Sequence, residues 1–144
     1  MMTQNEIQSI RASIGLLSGR TEEFAALFYD RLFTIRPDLR LMFRGDMTAQ
    51  GRKLMDAILV LSASLDRFPA LQPTLRHLKA RHASYGVQPE HYQVVATALL
   101  HTLHNFAGSE FNRTLQQAWA NLLHLVSTEM MAGAEQALTV KATR

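Results

Sequence analysis

At 144 residues, 47% hydrophobic and 19% charged, with seven glycines and four prolines, the chain has apolar content for one packed domain and too few breakers for disorder. It contains no cysteine, which excludes disulfides, thiolate metal sites and cysteine nucleophiles. The net charge of +3 is spread out, concentrating only at Arg76, His77, Lys79, Arg81 and His82; without a basic stripe and interleaved aromatics, no nucleic-acid surface is expected.

Every segment reads as helix. Thr3 with Glu6 three residues on forms a capping box, opening a helix lined by Ile7, Ile10, Ile14 and Leu17 and ended by Gly19. Thr21 is the expected cap of the next helix, with Glu22 and Glu23 in its first turn and a stripe through Phe24, Leu27, Phe28, Arg31 and Leu32. Pro37 disfavours a helical residue before it, so this helix stops near Arg36 and a short one, PDLRLMF, follows. Thr48 is read as the cap of a long helix from about Ala49 to Asp66, in which Gln50, Leu54, Ala57, Ile58, Leu61 and Leu65 share a face.

Pro69 and Pro73 interrupt the chain before a basic amphipathic helix that begins at Leu75 and carries His82 near its end. Tyr85-Gly86 breaks that helix. Pro89 starts another, reaching about Phe106 and ended by Gly108. Ser109 is the expected cap of the last helix, whose buried stripe is Leu115, Trp119, Leu122, Leu123 and Val126. After about residue 132 the end is expected to fray. No strand-like alternation, repeat or linker divides the chain, so one all-α domain spans 1–144, with about six long helices and some short pieces. The start, MMTQNEIQSIRAS, lacks the apolar core of a signal peptide. The longest apolar run, Ala57 to Leu61, is too short to span a bilayer, and a cytoplasmic location without a membrane span is expected.

Enzyme fingerprints are missing: there is no GxSxG, P-loop, GxGxxG, HExxH or EF-hand loop. His101 and His104 stand three apart and could share a metal, but no acidic or histidine partner follows at the usual spacing. The carboxylates form no evident catalytic pair. A histidine one turn before a helix stop, as His82 is, can present its ring to something bound beneath it, and imidazole is the commonest metal ligand among side chains. With six histidines in the chain, that position alone does not separate a ligand from a structural histidine.

What remains is an ordered set: Phe28-Tyr29, Pro37, Phe43, Gln50 with Leu54, Arg81-His82, Tyr92 and Trp119. With the fragments FYDRLF, PDLRLMF, RKLMDAI, PEHY and AW at their separations, the chain resembles the bacterial single-domain globins, specifically the globin domain of flavohaemoglobins and the Vitreoscilla-type haemoglobins. The resemblance runs from the first helix to about Met131. It implies a globin fold around a haem b (iron protoporphyrin IX) pocket.

The resemblance also implies residue roles. His82 matches the proximal iron ligand, oriented through its second nitrogen by a backbone carbonyl near Leu78. Phe43 matches the aromatic that stacks on the haem and Leu54 the apolar residue over the iron. Phe28, Met42, Leu78, Arg81, Val87, Tyr92 and Val95 fall among the haem-contacting positions, and Lys53 is a candidate partner for a propionate. Tyr29 and Gln50 match the distal positions, where a phenol and an amide can both donate hydrogen bonds to bound dioxygen.

Two departures bear on activity. In flavohaemoglobins a glutamate of the last helix joins the proximal histidine and the tyrosine matched by Tyr92. Here that position is Ala134, with Glu135 one residue on and about 100° around the helix. The family's flavin and nicotinamide domains do not follow within this sequence, so a reductase in trans is expected. The resemblance thus implies dioxygen binding, with nitric oxide and carbon monoxide as further ligands, and nitric oxide dioxygenation with an external reductase. Oxygen storage or delivery, and gas sensing, are the alternatives. A monomer or weak dimer is expected.

Overall fold

The computed structural model describes residues 2–43, 45–67, 73, 75 and 89–142, with side chains described for Glu90 to Met130 in the last of these ranges. Five α-helices lie within them: α1 (Gln4–Gly15), α2 (Thr21–Ile35), α3 (Met47–Ala63), α4 (Pro89–Ala107) and α5 (Arg113–Ala142). Short 3-10 turns occupy Pro37–Met42, Leu65–Arg67 and Gly108–Glu110, and no strand occurs among the described residues. The all-α expectation holds. Of the expected sixth helix, Leu75 is fully buried, while the segment carrying His82 lies outside the described residues.

The helix ends follow capping chemistry, at positions that differ from several sequence expectations. The Thr3–Glu6 capping box forms as read, each side chain bonding the other's backbone N–H. Thr21, however, is the first residue inside α2. Arg20 takes the cap position, its carbonyl accepting from the Phe24 N–H at 2.9 Å. Its guanidinium pairs with Glu23 and lies 4.5 Å from the centre of the Phe106 ring, which anchors the first turn one residue earlier. Asp46 displaces Thr48 as the cap of α3, accepting from the Thr48 N–H at 3.0 Å, after Gly45 makes the turn at φ 112°. The 3-10 turn from Gly108 carries Ser109 past before α5 begins, and the Asn112 side chain accepts from the Leu115 N–H instead. At its far end α5 continues to Ala142, beyond the expected fraying point. Its last stretch, AEQALTVKA, consists mostly of good helix formers.

The core is built where these helices cross. α2 packs on α3 and α4, α1 on α5 and α3, and α4 on α5. Phe24, Phe28 and Leu32, one turn apart on α2, are essentially inaccessible to solvent, and Phe24 meets Phe106 of α4 edge-on at 5.2 Å. On α5, Trp119 and Leu122 are fully buried, as their stripe required. The indole N–H of Trp119 donates to the Ser13 hydroxyl at 2.9 Å, and that hydroxyl donates to the Ile10 carbonyl, joining α5 to α1 with both polar groups satisfied. Arg11 reaches across to the end of α3, donating to the carbonyls of Ser62 and Ala63 and to Asp66, where free carbonyls and the negative end of the dipole favour a cation.

One contact sets the spacing of α2 and α3. A Cβ built on Gly51 would lie 3.0 Å from the Cβ of Ala25, so the two backbones approach slightly closer than a side chain at residue 51 would comfortably allow. Gly51→Val should lower stability by about 1–3 kcal/mol through overpacking, with the folded helix content kept. Gly51→Ala should be nearly neutral, because about 1 kcal/mol of helix propensity offsets the tight contact. Urea midpoints at constant slope check both, and Ala25→Gly should relieve part of the Gly51→Val loss.

Candidate functional site

The close crossing positions the chemistry beside it. Tyr29 stands one turn after Ala25 on α2, and Gln50 immediately precedes Gly51 in the first turns of α3. With the backbones close at residues 25 and 51, the Tyr29 phenol and the Gln50 side chain are neighbours, near enough for the amide to act on the titration of the phenol. The family resemblance had put both on the distal side, which helical periodicity alone could not do. The glycine opposite an alanine was the available signal for the close crossing.

Tyr29 is 7% exposed and enclosed by aromatic rings. Phe28 approaches it edge-on at 4.9 Å between centres and Phe43 edge-on at 5.4 Å. Phe33, one turn further along α2, lies nearly parallel to it at 6.0 Å. Phe33 and Phe43 also meet at 5.5 Å. Burial is the main influence on the Tyr29 phenol and pushes its pKa above the ordinary value, while the Gln50 hydrogen bond opposes that shift. At neutral pH the group is therefore a protonated, donor-competent hydroxyl in a largely apolar setting. On the solvent side, a groove of about 750 Å³ runs between α2 and α3, lined in part by Tyr29, Phe33, Met47, Gly51 and Met55.

The other expected positions fall into three groups. Phe28 is 2% exposed and belongs to the core, supporting Tyr29 from behind. Met42, Phe43, Leu54 and Val95 are half-buried, packing against the core while keeping apolar surface accessible. Tyr92 is half-buried, its phenol pKa also raised by burial, and Lys53 is exposed. Leu78, Arg81, His82 and Val87 lie outside the described residues, as do the side chains of Ala134 and Glu135 on α5. His104 sets its ring edge-on to Phe111 at 5.6 Å. Sequence reasoning had not singled out Phe33, whose signal was its position one turn after Tyr29.

These side chains suit a flat, largely apolar macrocycle that carries a small polar ligand. Half-buried apolar groups on the 3-10 turn, α3 and α4 can contact its faces and edge, and a phenol with an amide beside it can turn a donor to what it binds. The fit is one of chemistry: apolar contact for the ring and hydrogen-bond donation for the ligand.

Residues 26–130 match the family model for globins. The chain is 33% identical over 122 residues to a flavohemoprotein of Vibrio cholerae, the match covering 83% of this chain and 31% of the relative. It is 28% identical over 124 residues to a flavohemoprotein of Bacillus subtilis, with the same shares covered. The chain thus spans about a third of the length of the curated relatives it matches. Among solved structures, an engineered carbene transferase, described as a candidate nitric oxide dioxygenase from Rhodothermus marinus, superposes with a TM-score of 0.88 at 28% identity, covering 99% of both chains. Among the described residues, no helix is long and apolar enough to cross a membrane.

The raised phenol pKa makes a prediction about stability. The folded state holds the Tyr29 proton more tightly than the unfolded chain, whose ordinary tyrosine value is 10.0. Its contribution is full below that value and is lost as pH rises through the folded pKa. As pH rises through 10.0 and above, the urea midpoint of the unaltered protein should fall more steeply than that of Tyr29→Phe. Tyr92 contributes equally to both proteins, so the difference isolates Tyr29.

Proposed function

The chain belongs to the globin family, and from that premise we propose that it is a dioxygen-binding haem protein that converts nitric oxide to nitrate with electrons from a separate reductase. Globin membership implies haem and dioxygen binding. The observation that carries the finer reading is the buried Tyr29 phenol with the half-buried Gln50 side chain beside it. A phenol and an amide in place of a distal imidazole favour firm retention of a polarised diatomic ligand over rapid release.

Haem, when bound, supplies the redox-active iron at which dioxygen reacts with nitric oxide, the overall change being nitric oxide plus dioxygen plus one electron to nitrate. His82, matched to the proximal ligand, is the proposed anchor of the iron, and Leu78, Arg81, Val87, Tyr92 and Val95 are proposed to shape the proximal side. Phe43, Met42 and Leu54 would contact the ring, and Lys53 is positioned on α3 as the candidate partner of a propionate. Tyr29 holds its proton at neutral pH and offers it as a hydrogen bond to the bound ligand. Gln50 orients the phenol and supplies a second donor. Phe28, Phe33 and Phe43 limit water around the pair, so each donor acts in a low dielectric.

Each turnover draws its electron from a reductase. A second reading, oxygen storage or delivery without turnover, is favoured by one observation. Ala134 stands where the flavohaemoglobin glutamate would reinforce the proximal histidine, which weakens the expected electron donation toward the iron.

Stopped-flow mixing of the oxygenated, haem-loaded protein with nitric oxide separates these readings. Dioxygenation requires stoichiometric nitrate and repeated turnover when a flavin reductase is added, whereas failure of re-reduction favours storage. In the same protein, Tyr29→Phe should speed dioxygen loss by about 5- to 150-fold, the effect of removing one donor. An unchanged rate would mean that the phenol points away from the ligand. His82→Ala should abolish stable haem binding, and a normal Soret band in that variant would overturn the proximal assignment.

A further inference from the structure

Tyr29 depends on ring packing to remain in place. A tyrosine ring on a helix can change its side-chain torsions, and here an alternative lies open, because the groove of about 750 Å³ between α2 and α3 is lined by Tyr29 itself. A phenol that turned toward this groove would leave Gln50 and take its donor to solvent. The surrounding rings constrain it unequally. Phe28 and Phe43 touch Tyr29 edge-on, with interplanar angles of 71° and 70°, and so hold its perimeter. Phe33 alone among the three lies nearly parallel to it, at 28°, and also lines the groove. The Arg40 guanidinium sits 5.6 Å from the centre of the Phe33 ring, adding a cation–π contact to the stack.

We infer that Phe33 is a positioning residue for ligand retention: stacked between Arg40 and Tyr29, it bars the phenol from the α2–α3 groove and keeps its hydroxyl on the side of Gln50. The inference rests on the proposed role of Tyr29 as the ligand's donor. Phe33 is also the ring that can be changed with least damage. Phe28 is part of the core at 2% exposure and Phe43 is a proposed haem contact, whereas Phe33 is half-buried at the groove.

The test is a double-mutant cycle in the haem-loaded protein, with Phe33→Leu chosen because it keeps apolar bulk and removes the flat ring. Phe33→Leu should speed dioxygen loss by about 3- to 10-fold, the worth of an aromatic pair expressed as a rate. It should also split the single C–O stretching band expected of the carbon monoxide complex into at least two. In a Tyr29→Phe background the same substitution should change the rate by less than about twofold, because no donor is left to misplace. Phe33→Tyr, which keeps the ring, should restore both readouts.

Equal acceleration in both backgrounds would show a merely structural role and overturn the inference, as would no acceleration in either. If Tyr29→Phe alone leaves dioxygen loss unchanged, the reading of Tyr29 as donor fails separately. Ring-flip exchange of Tyr29, measured by NMR on isotope-labelled protein, then decides the role of Phe33 without any gas. Faster flipping in Phe33→Leu upholds the positioning role, and unchanged flipping overturns it.

Discussion

The approach of α2 to α3 at Ala25 and Gly51 is the constraint on which the rest of the site depends. Two helices carrying ordinary side chains at their crossing stay about 8–10 Å apart, and larger residues push them further. Here a glycine faces an alanine with 3.0 Å between the built and actual Cβ positions, a contact tighter than side chains at both positions would normally allow. Gln50 is adjacent to the glycine and Tyr29 is one turn from the alanine. Their proximity is therefore a consequence of the packing distance. Asp46 and Gly45 contribute from the other side, because the cap and the turn decide where α3 starts and so which way Gln50 faces.

A buried phenol is costly without a polar neighbour, and the half-buried Gln50 side chain stands beside that of Tyr29. Elsewhere Trp119 donates to Ser13, Thr102 bonds the Ala98 carbonyl, and no fully buried side-chain nitrogen or oxygen among the described residues lacks a partner. The phenol and the amide each have donor capacity to offer a third polar partner. The aromatic rings around Tyr29 raise that partner's electrostatic return by keeping water away.

Kinship with flavohemoproteins extends over most of this chain and about a third of theirs, so the shared part is the globin unit. Within that unit the features proposed to hold dioxygen and those proposed to tune the iron separate cleanly. The Tyr29–Gln50 pair is built from α2 and α3, whereas the tuning positions belong to the region around Tyr92 and to α5. Ala134 belongs by its sequence position to the second set and not to the first. On the proposed reading, ligand retention and electron donation are set by different residues, which makes re-reduction the step on which enzyme and storage roles diverge.

Helical periodicity, prolines at helix starts and the Thr3–Glu6 box were enough to read an all-α chain and most of its buried stripes, because those signals act within a turn or two of the backbone. The order of Phe28-Tyr29, Phe43, Gln50, His82 and Tyr92 carried the globin resemblance, and with it a list of site positions. Caps were less legible: Arg20, Asp46 and Asn112 took places expected of Thr21, Thr48 and Ser109, since cap choice depends on contacts such as Arg20 on Phe106 that span distant parts of the chain. The close crossing that sets Tyr29 beside Gln50, and the placing of Phe33 nearly parallel to Tyr29 with Arg40 over it, belonged to the tertiary structure alone. Both follow from how closely two helices pack, and that distance is set by side-chain volumes meeting across the crossing.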